Sequence, residues 1–246
     1  QKDFIIHMKK VTLLMSGIMV MSCAPQQKKL VYPETTKVDT VDVYFGTQVP
    51  DPYRWLENDT SAATTAWVEA QNKVTNEYLS QIPFRENLLK RLTTLADYEK
   101  ISAPIKKHGK YYFSKNDGLQ NQSVFYVQDS LDGEPRVFLD PNKLSDDGTV
   151  ALTGLYFSND GKYTAYSISR SGSDWSEIYV MDTESGKLLE DHIEWAKFTG
   201  AAWQGDGFYY SAYDAPSKGK EFSNVNENHK IYYHKIGEPQ SKDKLI

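Results

Sequence analysis

Three stretches of this chain repeat one pattern, and that repeat restricts the fold more than any other feature. The first runs Gly109-Lys110-Tyr111-Tyr112-Phe113-Ser114, the second Gly161-Lys162-Tyr163-Thr164-Ala165-Tyr166-Ser167, and the third Gly207-Phe208-Tyr209-Tyr210-Ser211-Ala212-Tyr213. Each reads as a turn glycine entering a short strand of aromatic and β-branched residues. A polar loop then leads to a second strand (residues 123–127, 177–181 and 230–234) and a closing turn at Asp132-Gly133, Ser185-Gly186 or Gly237. The lead glycines at 109, 161 and 207 stand 52 and 46 residues apart. Several short strands recurring every 40–50 residues or so are the mark of β-propeller blades. One such sheet cannot bury both faces alone and must stack on its neighbours. The alternative is a single antiparallel sandwich with an accidental rhythm. The same order of strand, loop, strand and turn in all three units favours the propeller.

Composition narrows the partners. A net charge of −5 and a sequence pI near 5.6 come with no basic cluster, which argues against nucleic acid. Seventeen Tyr and five Trp suit strand faces, where a ring packs and a hydroxyl stays wet. The single cysteine excludes an internal disulfide and any multi-cysteine metal site.

That cysteine, Cys23, ends an apolar stretch over residues 11–21 that follows Met8-Lys9-Lys10 and precedes Pro25-Gln26-Gln27-Lys28-Lys29. The run reads as a secretory signal, too short for a membrane-spanning helix. Val20-Met21-Ser22-Cys23 resembles a bacterial lipoprotein cleavage box, so Cys23 is expected to become a lipid-bearing N-terminus that anchors a soluble domain to a membrane face. Ordinary signal cleavage beside an incidental cysteine is the competing reading. Residues 1–7 precede the expected initiator Met8. The expected location is the bacterial cell envelope if the signal is used, and the cytoplasm otherwise.

Residues 24–99 differ in character from the repeats. Asp51-Pro52-Tyr53-Arg54-Trp55-Leu56-Glu57 reads as a turn entering a helix. Thr60 or Ser61 can then cap a helix running through Gln81, with Trp67, Gln71, Val74 and Tyr78 on one face. After Pro83, the leucines at 88, 89, 92 and 95 mark a second amphipathic helix whose stripe is expected to pack in a core. Residues 101–104 read as the crossing into the first blade. The expected division is thus 1–23 signal, 24–99 helical segment and 100–246 incomplete propeller.

Residue chemistry alone offers no catalytic centre. No G-x-S-x-G occurs and no Gly-rich phosphate loop. The five histidines (7, 108, 192, 229 and 234) lack metal-ligand spacing, and His108 and His234 are expected at surface or edge positions. Asp146-Asp147 reads as a turn pair hydrogen-bonded to local backbone. No metal or cofactor is expected.

Tyr32-Pro33, Tyr44-Phe45-Gly46, the Asp51 to Glu57 stretch, Gly118-Leu119-Gln120-Asn121-Gln122, Val137-Phe138-Leu139-Asp140-Pro141-Asn142 and Ser171-Gly172-Ser173-Asp174-Trp175, in this order, resemble the prolyl oligopeptidase family. The resemblance covers residues 31–246. It implies a seven-bladed propeller capping an α/β-hydrolase domain that cleaves short peptides after proline with a Ser/Asp/His triad. This chain then corresponds to the N-terminal portion, about three blades long, and the helices before the blades are expected to pack on the hydrolase domain. A fragment of this kind is expected to be inactive alone, with an open ring and an exposed helical stripe. The resemblance nominates Phe198, in Lys197-Phe198-Thr199-Gly200-Ala201-Ala202-Trp203, as a residue lining the substrate path. A propeller core aromatic is the alternative for it. The resemblance also places Asp174, with Trp175, at the interface with an arginine of the hydrolase domain, although a solvated turn residue would look the same. Competing functions are a non-catalytic lipoprotein propeller binding peptide or glycan, and another propeller-capped hydrolase such as a dipeptidyl peptidase.

Overall fold

The computed structural model describes residues 29–221 and 224–246. Cys23 and the signal-like run lie outside the described residues. The chain divides into two compact units, one through Gln81 and one from Ile82 to Ile246.

In the first unit a hairpin, β1 (Val41–Tyr44) and β2 (Thr47–Pro50), precedes the Asp51 to Glu57 motif. That motif forms a polar knot. Arg54 Nε donates to Asp51 Oδ2 at 2.6 Å, and the guanidinium also pairs with Asp42 on β1. The Trp55 indole donates to the Thr36 carbonyl at 2.9 Å. Helix α1 (Ala62–Ser80) starts where expected, because Ser61 Oγ accepts the Thr64 N–H at 3.1 Å and satisfies one of the first-turn donors. From its expected face, Trp67 donates to Thr35 Oγ1 and Gln71 to the Pro33 carbonyl, fastening the extended N-terminal strap to the helix.

The second unit opens with α2 (Arg85–Ala96). Its leucine stripe is half or more exposed at Leu88, Leu89, Leu92 and Leu95, the exposed stripe expected of this segment by itself. Four leucines at helical spacing need an apolar partner, and the strands of this unit bury their own side chains against one another.

Those strands form three four-stranded meanders. After β3 (Lys100–Ile101), the first comprises β4 (Ile105–Lys107), β5 (Lys110–Asn116), β6 (Val124–Gln128) and β7 (Arg136–Leu139). In the second are β8 (Val150–Phe157), β9 (Tyr163–Arg170), β10 (Trp175–Asp182) and β11 (Leu188–Lys197). The third consists of β12 (Ala202–Gln204), β13 (Gly207–Ala212), β14 (Lys230–Lys235) and β15 (Lys244–Leu245). Every pairing is antiparallel; β3 pairs with β5 rather than with its neighbour β4, and one contact, Ala196↔Ala212 between β11 and β13, joins the second and third sheets. The repeat seen in sequence is the second and third strand of each blade.

The middle blade decides between propeller and sandwich. From Thr164 to Ser169 six consecutive residues of β9 are buried. A strand alternates its side chains between two faces, so such a run requires cover on both sides. One face carries Tyr166, Ile168 and Met181 into a core with Tyr112, Val127 and Phe138 of blade 1. The other carries Ala165, Ile178, Val180 and Ile193 against Phe208, Tyr210 and Ala212 of blade 3. A two-layer sandwich buries only one face of each sheet. Stacked blades bury both.

Polar ties reinforce the stack and account for two of the sequence motifs. Gln122 inserts its side chain into the start of β8, donating to the Val150 carbonyl at 2.7 Å and accepting the Leu152 N–H at 3.0 Å. Asn142 clamps the Gln122 backbone on both sides, accepting its N–H at 2.9 Å and donating to its carbonyl at 2.9 Å. Between blades 2 and 3, the Trp203 indole donates to the Tyr156 carbonyl at 2.8 Å.

Three local expectations need correction. Gly207, read as a turn glycine, lies within β13, and the left-handed turn residue is Gly205 (φ +61°). Phe198 does not open the first strand of blade 3 but follows the last strand of blade 2. His234, read as a surface or edge residue, is fully buried. Asp147 behaves as read, its carboxylate accepting the Thr149 N–H at 3.0 Å.

Candidate functional site

Two distant segments meet at one end of blade 2. In the β10–β11 ladder Trp175 lies opposite Lys197, so the turn ending in Asp174 and the chain leaving β11 at Phe198 emerge side by side. The turn is shaped by left-handed backbone at Ser171 (φ +51°) and Gly172 (φ +74°) and closed by the Ser173 N–H donating to the Arg170 carbonyl at 2.9 Å. Ser173 Oγ then accepts the Trp175 N–H at 3.0 Å, which sets the start of β10. Asp174 is exposed, and among the described residues its carboxylate meets no cation.

Trp175 is the hub of an aromatic cluster. Its indole N–H donates to the Glu221 carbonyl at 2.7 Å, and its ring meets Trp195 and Tyr213 edge-on at centroid distances of 5.5 and 6.2 Å. Lys197 is buried with its ammonium 4.6 Å from the Trp175 ring centre and 5.4 Å from that of Phe198, so aromatic faces take the place of a carboxylate partner. Tyr213 stacks on His229 at 4.4 Å, and a ring nitrogen of His229 lies 3.1 Å from the Lys197 carbonyl.

Phe198 stands out in this setting. It is 69% exposed, and its backbone is left-handed at φ +53°. Such backbone costs an L-residue about 1–2 kcal/mol, and strain of this kind gathers at binding sites. Trp195 shares the feature at φ +58°, where a bulge in β11 sets Ile193 to Ala196 against only Ile178 to Ser176. The extra residue turns the Trp195 ring to the cluster.

Beside the cluster is a cavity of about 340 Å³ bordered by Trp175, Trp195, Arg170, Glu177 and Glu221. Glu177 is the electrostatic anchor of its wall. Arg170 donates to it at 2.5 Å, Tyr179 at 2.6 Å, and His192 Nε2 lies 2.9 Å away. Burial pushes the Glu177 carboxyl up, but those hydrogen bonds outweigh it and hold it down to about 2. Burial and the Glu177 contact push the Tyr179 phenol up to about 12. Glu177 therefore stays ionised and Tyr179 neutral through the physiological range. A larger cavity of about 500 Å³ between blades 1 and 2 is bordered by Tyr112, Phe138 and Phe157, the rings that also make that core, and we read it as the seam between sheets.

The structure thus brings together Asp174, Trp175 and Phe198, the three described residues singled out from sequence. Trp195, Tyr213 and His229 escaped that reading. For Trp195 no warning lay in the sequence, because the bulge shows only in the structure, where Ile193, Ala196 and Lys197 are all buried. Tyr213 and His229 reach the site only through folding.

Antiparallel four-stranded sheets stacked on both faces, with a ligand-sized aromatic cluster at one end of a blade, define an incomplete β-propeller domain. Comparison with known proteins makes this specific. Residues 33–246 match the model of the prolyl oligopeptidase N-terminal beta-propeller domain, and the chain belongs to that family. Over 225 residues it is 53% identical to the prolyl endopeptidase of Elizabethkingia meningoseptica, covering 91% of this chain and 32% of the relative. Prolyl oligopeptidase A of Galerina marginata is 36% identical over 251 residues, or 87% of this chain and 34% of the relative. Among solved structures, a prolyl endopeptidase superposes with a TM-score of 0.75 at 31% identity, over 87% of this chain and 32% of the other. A substrate-bound prolyl oligopeptidase B of Galerina marginata gives 0.72 at 33% identity, over 87% and 34%. The chain spans about a third of the length of the relatives it matches.

Proposed function

We propose that this chain is the N-terminal part of a serine endopeptidase that cleaves short peptides on the carboxyl side of proline, and that its propeller governs access of the peptide. The observation that carries the reading is the pairing of Asp174 and Phe198 at one end of blade 2, in a chain of this family. In this reading Phe198 touches the peptide, while Asp174 and Trp175 meet the catalytic domain. Residues 24–99 belong with that catalytic domain and residues 100–246 with the propeller. The exposed leucine stripe of α2 supports that division, because it offers an apolar face for another domain to cover.

The test is Asp174→Ala in the full-length parent enzyme. An exposed carboxylate covered by a second domain and paired with an arginine there is worth more than a surface pair, which contributes about 0–1 kcal/mol. We expect kcat/KM for a prolyl peptide to fall about tenfold or more, with the melting temperature of the present chain unchanged by the same substitution. Unchanged kcat/KM would make Asp174 an ordinary turn residue.

We also propose that Cys23 carries a lipid that tethers the protein to the cell envelope. Radiolabelled palmitate should enter the protein in a bacterial host and be lost in Cys23→Ala. Equal labelling of both proteins would refute the anchor.

A further inference from the structure

His234 lies on β14 with no solvent exposure, between two carboxylates that are nearly as buried, Asp191 on β11 and Asp243 just before β15. Its Nδ1 is 2.7 Å from Asp243 Oδ1 and its Nε2 is 3.0 Å from Asp191 Oδ1. A carboxylate oxygen only accepts, and a neutral imidazole carries one N–H, so it could satisfy one of these contacts and would set a lone pair against the other. Each carboxylate also holds a second donor suited to its ionised form. The Gly237 N–H donates to Asp191 at 2.6 Å, and the Tyr210 hydroxyl donates to Asp243 Oδ2 at 2.7 Å. Two ionised carboxylates on opposite edges of one ring call for an imidazolium between them. Because each nitrogen faces a different carboxylate, the three side chains share no vertex for a metal ion, in keeping with the lack of a metal-binding cluster among the described residues.

We propose that Asp191, His234 and Asp243 form a proton-dependent clasp between blades 2 and 3, closed while His234 is doubly protonated and loosened by alkali. Asp191 comes from the outer strand of blade 2, and His234 and Asp243 come from blade 3. The titratable groups facing the imidazole are Asp191 from β11, Asp243 from the segment before β15, and Tyr210 from β13 through Asp243. The Phe208 ring, 5.2 Å from the imidazole, covers it with an apolar surface. Among the described residues, no lysine or arginine pairs with either carboxylate, so the ring is the only cation in the group. Burial lowers the proton affinity of the imidazole, but Asp243 and then Asp191 outweigh it, and the balance is a raised pKa. The clasp is therefore fully engaged below the unfolded value of about 6.5 and is lost as pH rises through the higher folded value.

The experiment uses the full chain with ¹⁵N-labelled histidine. The His234 ring signals are assigned by elimination, replacing His7, His108, His192 and His229 singly with Gln, so that no variant at the clasp needs to fold. At pH 7.5 both ring nitrogens should show the protonated imidazolium signature, where an unperturbed histidine is about 90% neutral. A pyridine-type nitrogen on His234 at that pH would overturn the proposal. Urea unfolding from pH 6 to 9.5 gives the second readout. The wild-type midpoint should decline across the titration of His234, and Asp191→Asn and Asp243→Asn should lower the midpoint at pH 6 and flatten its pH dependence. Curves of variants and wild type that run parallel would also overturn it.

Discussion

Gly207→Ala is expected to destabilise the chain by about 3 kcal/mol or more, read as a lower urea midpoint and loss of near-ultraviolet circular dichroism from the third blade. An added Cβ would sit 1.9 Å from the His234 carbonyl oxygen and 2.9 Å from the Tyr233 ring. The obstacle is backbone of the paired strand, held in register by Gly207↔Lys235 and Phe208↔His234, so no flexible side-chain end can move aside. Overpacking inside a dense interior usually costs about 1–3 kcal/mol and more where the backbone must shift. A shift here would also drag His234 away from Asp191 and Asp243. Gly186→Ala supplies the control. Its φ is +69°, yet nothing lies within 4 Å of the added atom, so only the conformational cost of about 1 kcal/mol applies. Equal stabilities of the two variants would show that close approach at Gly207 does not limit the blade.

The contrast shows where sequence reading works. β5 and β9 were legible because each follows a turn glycine with a dense aromatic or β-branched run, and β13 because it begins at Gly207 with such a run; local pattern suffices for that. The first and fourth strands were not. In β8 a register irregularity between Leu152 and Gly154 breaks the alternation, and in β11 Glu190, Asp191, His192 and Glu194 make the strand look like a solvated loop. Of these, Asp191 is buried against His234, 43 residues away. Asp243 is only nine residues from His234, but Asp191 is 43 away on another blade, so no local window of sequence could reveal the clasp. At the candidate site, Phe198 and Asp174 were nominated by family resemblance rather than by pattern. Their adjacency rests on the Trp175↔Lys197 register, a long-range fact. Gln122 and Asn142 show the reverse case, since their motifs were visible while their purpose, stitching blade 1 to β8, was not.

Two phenylalanines ten positions apart should separate stability from function. Phe208 is fully buried at the meeting of blades 2 and 3, edge-on to Trp203 at 5.2 Å and close to Tyr210 and His234. Phe208→Ala removes a ring that both blades share and leaves a cavity that rigid strands cannot close. The expected cost is about 3–5 kcal/mol, the upper range for core truncations. Because the ring also shields the imidazole, the variant should lose part of the pH dependence of unfolding as well. Phe198→Ala is expected to do the opposite. The side chain is mostly in water and its backbone stays left-handed whichever side chain it carries, so stability should change by no more than about 0.5 kcal/mol. In the full-length parent, however, its loss should raise KM several-fold with kcat nearly unchanged, the signature of a group that holds substrate and transition state equally. A large stability loss in Phe198→Ala would reassign that residue to the scaffold. An unchanged KM would remove it from the peptide path, and a Phe208→Ala chain as stable as wild type would show that the second and third blades do not depend on their shared core.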